Sequence, residues 1–238
     1  MARRHAPDVV YEDDLLLVAN KPAGLLTVPL ERRGATRSLQ GLLIDRFPWR
    51  RRQRLFVVHR IDEDSSGLVV FAKDARTQQD LKDQFKRREP ERVYRAVVYG
   101  HPRPDSGTWR DYLVWNTRAL IQKKANAGDP RAIEAICDYR VIDTFDHTSL
   151  IEVRLRTGRQ NQIRLQAQLH GHTLVGEKRY RTDADSHRLV PFGRHALHAY
   201  RLTFAHPADG RTLELEAPLP ADLLDLLARL SRRRRRHS

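Results

Sequence analysis

Residues 55–72 place a short charged segment between two apolar runs. "LFVV" (55–58) and "LVVFA" (68–72) have the composition of buried strands, and "HRIDEDSSG" (59–67) joins them. The Ser-Ser-Gly end of the joining segment predicts a turn that contains Asp62. A turn between two core strands holds its side chains rigidly, so this pattern fits an active site as well as an ordinary turn.

The remaining hydrophobic pattern predicts more strands than helices. We expect a hairpin at 9–20, strands at 55–60, 67–72, 92–100, 132–143, 148–156, 196–205 and 211–216, a hairpin region at 101–131, and helices at 36–47, 74–90 and 220–230. Residues 160–170 alternate like a strand but also pair apolar residues four apart, and we interpret them as a helix. Short hairpin connections predict an α+β fold with a mainly antiparallel mixed sheet flanked by helices and loops.

The charge of the chain favours a polyanionic partner. The 238 residues carry a formal net charge of +14, which favours RNA as the partner, although a merely basic protein would show the same excess. Because Cys137 is the single cysteine, no intrachain disulfide can form, and a reducing compartment is expected. Its apolar sequence surroundings indicate a packed side chain. No segment has the length of a membrane span, so we expect a cytoplasmic protein that does not bind membranes.

Polar residues that could carry chemistry follow apolar elements at three places. They are Asp62, the arginines Arg159 and Arg164 in "RTGRQNQIR" (156–164), and Tyr94 in a strand, where a ring could stack on a base. Each also has an ordinary structural interpretation as a turn residue, a surface arginine or a core tyrosine. Glycine loops for phosphate and cysteine pairs for zinc are absent from the sequence, and "HGH" (170–172) fits a turn better than a metal site. We therefore expect no metal and no cofactor.

Five segments together favour one enzyme family. They are "VVYEDDLLLVANKPAGLLTVP" (9–29), "HRIDEDSSGLVVFAKD" (59–74), "VYRAVVYG" (93–100), "LRTGRQNQIRLQAQLHGHTLVGEKRY" (155–180) and "HALHAYRLTFAHPADGRTLELEAPLPADL" (195–223). In this order and spacing they resemble the motifs of RluA-like RNA pseudouridine synthases. The resemblance implies the catalytic fold of that family in one domain over 1–231, and we expect no S4 domain. The run "RRRRRHS" (232–238) is too highly charged to order itself, so we expect a basic disordered tail there.

The resemblance also implies a role for each candidate residue. Asp62 would be the catalytic aspartate, Arg60 would hold the flipped nucleotide or fill the gap it leaves, Tyr94 would stack on the uracil, and Arg164 would pair with Asp62. The substrate-binding residues would be His59, Leu68, Arg159, Gln162 and Ile163, with Leu68 and Ile163 as apolar walls. The implied reaction is the isomerisation of a specific uridine in structured RNA without a cofactor. The RNA would be ribosomal or transfer RNA, with ribosomal RNA slightly favoured. No feature of the sequence demands more than a monomer.

Three positions depart from the family pattern. Asn161 replaces a histidine, Ser65 replaces a threonine, and "GEKRYR" (176–181) replaces GDxxYG, with Glu177 for the aspartate and Arg181 for the glycine. We expect these changes to leave Asp62, Tyr94 and Arg164 untouched and the activity intact, and Asn161 to alter hydrogen bonding or substrate choice.

Two alternative functions stay open. The first is a non-catalytic RNA-binding paralogue of the same fold, which would bind RNA independently of Asp62. The second is another aspartate-dependent enzyme acting on a nucleoside or glycoside, which would need a second cooperating carboxylate. Asp64 is the near neighbour of Asp62, and the motif places it in the turn.

Overall fold

The computed structural model describes residues 7–29, 37–46, 54–181 and 190–237. The chain divides into two compact units, the first formed by Met1–Arg92 with Ala199–Pro220 and the second by Val93–His198 with Ala221–Ser238. The assignment of residues 1–231 to a single catalytic domain stays a prediction.

Strands outnumber helices, as the pattern predicts. The strands are β1 (Asp8–Glu12), β2 (Leu16–Lys21), β3 (Phe56–Val57), β4 (Ser66–Ala72), β5 (Glu91–Tyr99), β6 (Ser106–Asn116), β7 (Ile121–Ala125), β8 (Ile133–Thr144), β9 (Thr148–Leu155), β10 (Leu197–Ala205) and β11 (Thr212–Glu216). The helices are α1 (Leu39–Arg46), α2 (Ala75–Arg87), α3 (Gln162–Leu169) and α4 (Ala221–His237). The α+β class with a mainly antiparallel sheet is confirmed.

In the first unit the strands follow the order β1, β2, β4, β10 and β11, and β3 also pairs with β4. β4 is buried at every position, which explains its unbroken apolar sequence. Helix α2 packs against β3 and β4 through the fully buried Leu81. Asp74 caps this helix by accepting from the Thr77 amide at 2.8 Å, and Arg88 ends it with a φ of 63°. The cap lies at the first residue of the helix predicted at 74–90.

In the second unit the strands follow the order β5, β9, β8, β6 and β7, with antiparallel pairing throughout this series. The hairpin β6–β7 lies in the region 101–131, where the sequence predicts a hairpin. Helix α3 contacts β6 and β7, and Leu165 packs with Leu113 and Ala135 in a small apolar cluster. The interpretation of residues 160–170 as a helix is confirmed.

Two element boundaries differ from the prediction. The strand expected at 55–60 is reduced to β3, because the Val70 amide binds the His59 ring at 3.2 Å instead of a backbone carbonyl that would extend the ladder. Helix α4 continues to His237, beyond the predicted end at 230. The disordered tail at 232–238 stays a prediction. Arginine is a good helix former, and the preceding amphipathic turns nucleate the helix.

Two further findings concern predicted properties of the chain. Most of the basic segment "PWRRRQR" (48–54), whose composition is typical of an exposed loop, lies outside the described residues. Among the helices that the structure describes, none combines the length and apolar character needed to cross a membrane.

Candidate active site

The predicted site residues are distributed over both compact units. The first unit carries His59, Arg60, Asp62 and Leu68. The second unit carries Tyr94, Arg159, Gln162, Ile163 and Arg164. The ion pair between Asp62 and Arg164 that the resemblance implies stays a prediction.

Backbone hydrogen bonds fix the chain on both sides of Asp62. On one side, the Thr27 hydroxyl donates to the Ile61 carbonyl at 3.1 Å and accepts from the Ile61 amide at 3.4 Å. On the other side, the Gly24 amide donates to the Glu63 carbonyl at 2.9 Å. Because both neighbours are held, the direction of the Asp62 side chain is set by the main chain of this turn.

Lys21 anchors the same turn from inside the protein. The residue is fully buried, and its ammonium donates to the carbonyls of Pro22, Leu25 and Glu63 at 3.0, 2.6 and 2.8 Å. These three acceptors satisfy all three N–H donors, which is the condition for burying an ammonium group. The "NKPAG" segment (20–24) is thereby tied to the residue that follows Asp62.

The residues of the Asp62 turn differ in their burial. Asp62 is half-buried, Arg60 is exposed, and Leu68 in β4 is 1% exposed. The Ser65 amide closes the turn on the Asp62 carbonyl at 3.1 Å. A rigid turn with a reachable carboxylate can present a nucleophile or a base to a substrate.

His59 is a structural element of this unit. Its Nε2 accepts from the Val70 amide at 3.2 Å, and its ring stacks on Phe85 with centroids 4.8 Å apart. Burial and the nearby charge of Arg92 lower the pKa of His59 to about 3, so the ring is neutral with its proton on Nδ1. The substrate contact that the resemblance implies for His59 stays a prediction.

Two apolar members of the predicted site lie in the second unit. Tyr94 occupies β5 opposite Val153 of β9 and is 9% exposed, and Ile163 in α3 is 4% exposed. Both are buried enough to have ordinary core roles. Their predicted contacts with the uracil stay predictions.

Gln162 and Arg159 organise the start of α3. The side-chain Oε1 of Gln162 accepts from the Thr157 hydroxyl at 2.8 Å and from the Arg159 backbone amide at 2.9 Å, while its Nε2 donates to the Ile136 carbonyl at 3.1 Å. The Arg159 side chain donates to the Glu134 carbonyl at 3.1 Å. These bonds fix the turn "RTGRQ" (156–160) to β8, so both residues support the fold of the site whatever they contact in a substrate.

Arg164 forms a buried bidentate ion pair with Glu177. Its Nε and Nη2 lie 2.7 and 2.8 Å from the two carboxylate oxygens of Glu177. The expectation that the departures from the family pattern leave Arg164 untouched is therefore wrong for Glu177. The sequence analysis named Glu177 only as a departure from the family pattern and missed its contact with Arg164. The available signal was that one carboxylate replaces another at this position.

The other candidate groups have structural partners. Cys137 is buried, which raises the pKa of its thiol, and its Sγ lies 3.3 Å from the side-chain Oε1 of Gln166. His170 lies 3.1 Å from an Asp111 carboxylate oxygen, and His172 lies 3.1 Å from the Tyr99 carbonyl. Within the described ranges, no group of three or more histidine, cysteine or acidic residues is arranged to hold a metal ion.

Known proteins resemble this chain over most of its length. A family model described as RNA pseudouridylate synthase matches residues 15–169. The ribosomal large subunit pseudouridine synthase D of Zymomonas mobilis is 34% identical over 91% of this chain and 70% of its own length. The protein of the same name from Neisseria meningitidis serogroup A is 36% identical over 94% of this chain, which spans 61% of that relative.

Solved structures agree on the fold. Human RNA Pseudouridylate Synthase Domain Containing 4 matches with a TM-score of 0.77 at 21% identity, covering 94% of this chain and 93% of its own. Human RNA Pseudouridylate Synthase Domain Containing 1 matches with a TM-score of 0.74 at 25% identity, covering 92% and 87%. The predicted pseudouridine synthase fold is thus confirmed. By its sequence motifs, the matching family model and these relatives, the chain belongs to the RluA-like family of RNA pseudouridine synthases.

Proposed function

We propose that this protein converts a specific uridine of structured RNA into pseudouridine and that Asp62 is its catalytic aspartate. The N1–C1′ glycosidic bond breaks, the uracil rotates, and a C5–C1′ bond forms. The C5 proton is lost while N1 gains one, so the reaction balances as an isomerisation. Its atoms and electrons need no redox partner or group carrier.

The anchoring of the Asp62 turn is the observation that carries this proposal. The Thr27 hydroxyl holds the residue before Asp62, and the Gly24 amide and the Lys21 ammonium hold the residue after it. An aspartate that attacks or deprotonates a sugar must be fixed near its productive geometry, since small displacements cost large factors in rate. An ordinary surface turn would not need a buried lysine for this purpose.

The other roles follow the family resemblance. Arg60 is exposed beside Asp62 in sequence and can contact the nucleotide that is extruded from the RNA helix. Tyr94 supplies an aromatic face for the uracil, and Leu68 and Ile163 supply apolar walls. Arg164 supplies a positive charge that favours the ionised form of a neighbouring carboxylate.

The partner is an RNA, for which ribosomal RNA is the proposed class. Support comes from the net charge of +14, which suits a phosphate backbone, and from relatives named as large-subunit ribosomal enzymes. We further propose that the protein acts as a monomer in the cytoplasm, where its buried single thiol suits a reducing compartment.

Pseudouridine mapping of total RNA tests the proposal. RNA from cells with and without the gene is treated with carbodiimide and read by primer extension, with add-back of wild type, Asp62→Asn and Asp64→Asn. We expect one ribosomal site to vanish with the gene and to return with wild type and Asp64→Asn but not with Asp62→Asn. If no site changes and purified Asp62→Asn binds RNA as tightly as wild type, the protein is the non-catalytic RNA-binding paralogue instead.

A further inference from the structure

We propose that Glu177 is a positioning residue that orients Arg164 for the pseudouridine reaction. This inference rests on the proposed function, because it assigns Arg164 a role in the reaction. Glu177 itself would not touch the RNA, since its side chain has no exposed surface. It would act through the guanidinium group it holds.

The geometry of the pair fixes the direction of Arg164. The Nε and Nη2 atoms both bind the Glu177 carboxylate, so one edge of the planar guanidinium is taken. The guanidinium is a rigid fork of five N–H donors. Fixing one edge therefore fixes where the remaining donors, chiefly those on Nη1, point.

Glu177 is itself held in place by the main chain. One of its oxygens also accepts from the backbone amides of Lys178, Arg179 and Tyr180 at 3.0, 2.7 and 3.3 Å. Burial alone would raise the pKa of Glu177, but the hydrogen bonds and charge of Arg164, with the backbone donors, lower it to about 2. The carboxylate is thus ionised at neutral pH and cannot rotate away.

The backbone before Glu177 tolerates little change. Gly176 has a φ of 76°, and a Cβ placed on it would lie 1.9 Å from the Arg194 carbonyl oxygen. A side chain at this position would push the segment out of place. The glycine therefore lets the turn bring Glu177 to the buried side of Arg164.

Asn161 and Glu177, two departures from the family pattern, both lie near Arg164, and Asn161 reaches it through the Tyr180 ring. Tyr180 lies beneath its guanidinium, with 5.6 Å between Cζ and the ring centroid, and the Tyr180 hydroxyl donates to the Asn161 side chain at 3.4 Å. Asn161 precedes α3 with a φ of 53°, a conformation that asparagine tolerates better than most residues. Asn161 therefore reaches Arg164 through Tyr180, whereas Glu177 binds it directly.

A purely structural role explains this arrangement less well. A buried ion pair contributes little net stability compared with well-packed apolar residues of similar volume, because both charges lose their hydration. Apolar residues could not hold a charged group in one orientation. The pair is therefore better explained if the reaction requires the Arg164 guanidinium to point in a fixed direction.

Single-turnover tritium release tests the inference. The substrate is total RNA labelled with 5-tritiated uridine and extracted from cells that lack the gene, and the enzymes are wild type, Glu177→Gln, Glu177→Asp and Asp62→Asn. Asp222→Asn is the matched control, because Asp222 forms a similar bidentate pair with Arg194, at 2.7 and 3.1 Å, in the same unit. RNA affinity and the folded fraction are measured for each variant.

We expect Glu177→Gln to lose about 100-fold in rate with its RNA affinity changed less than about threefold, as for a misplaced group that leaves binding intact. Glu177→Asp, which keeps the charge, should recover most of the rate, and Asp222→Asn should retain it. The inference on Glu177 fails if folded Glu177→Gln releases tritium as fast as wild type, or if Glu177→Asp is as slow as Glu177→Gln. In either case the proposed function still stands, provided that wild type is active and Asp62→Asn is inactive. If wild type releases no tritium, the proposed function fails and the inference with it.

Discussion

The turn that carries Asp62 and the helix that carries Arg164 are held in place by different means. Around Asp62 the anchors are backbone groups, the Thr27 hydroxyl and one buried ammonium, whose acceptors are all carbonyls. Around Arg164 the anchor is a carboxylate, and the contact is an ion pair. The comparison teaches that the aspartate is fixed by chain geometry and the arginine by charge.

The largest effect should come from crowding the backbone next to the Asp62 turn. Gly67 has a φ of 113°, and a Cβ on it would lie 2.2 Å from the Ala199 carbonyl oxygen. We expect Gly67→Ala to lower the free energy of unfolding by roughly 4 kcal/mol, because the clash is with main chain that cannot move aside. Urea unfolding measures this loss. Gly128→Ala, where the added carbon meets nothing within 4 Å, should change stability by about 1 kcal/mol or less.

Removing the buried ammonium should be nearly as costly. Lys21→Met leaves the Pro22 and Leu25 carbonyls without this donor and removes one of the two donors to the Glu63 carbonyl, and we expect a loss of roughly 3 kcal/mol in the free energy of unfolding. Lys178→Met is the control, because this exposed lysine donates to one carbonyl at 2.7 Å and should cost about 0.5 kcal/mol or less. Equal losses for both variants would show that Lys21 does not anchor the turn.

Acid should weaken the anchor of Arg164 more than that of Asp62. The pKa of Glu177 is lowered to about 2 from an ordinary value of 4.5, so its contribution is complete above pH 4.5 and is lost as the pH falls toward 2. We expect wild type to lose roughly 2–3 kcal/mol more than Glu177→Gln between pH 5 and pH 2. Urea unfolding of both proteins across this range provides the measurement. Parallel pH curves would contradict the assigned ion pair.

The last prediction concerns the protonation of His59, for which no titration of the folded protein is expected down to about pH 5. Since burial lowers its pKa to about 3 from 6.5, the neutral ring is favoured in the folded state, and stability falls as the pH drops from 6.5 toward 3. In nitrogen-detected NMR, His59 should stay neutral with its proton on Nδ1 from pH 7 to about pH 5. The urea-unfolded chain should titrate near the ordinary value. A charged His59 at pH 6 in the folded protein would contradict this assignment.

Local sequence signals predicted most helices and strands. Where an element was mispredicted, its extent depends on contacts that the local pattern does not show. The helical pattern of residues 74–90 predicted α2, and the four-residue pairing of apolar residues in 160–170 predicted α3. The short β3 could not be predicted, because the His59 ring replaces a backbone partner there. Helix α4 continued into an arginine run that repulsion alone would leave disordered.

The site was predictable as motifs but not as contacts. Family-like segments predicted Asp62 and Arg164 as site residues from their positions in the motifs, and these assignments stay predictions. The anchor between Lys21 and Glu63 spans 42 residues, and no periodicity signals it. The pair between Arg164 and Glu177 depends on a turn that a single glycine permits, so its geometry appeared with the fold.

The most direct test of the central claim compares wild type with Asp62→Asn in single-turnover tritium release from RNA of cells that lack the gene. The substitution keeps the size of the side chain and removes its charge. We predict that Asp62→Asn binds this RNA as wild type does but loses about 1,000-fold or more in rate, as expected for a group at the reacting centre. A variant that retains a rate within about tenfold of wild type would contradict the assignment of Asp62 as the catalytic aspartate.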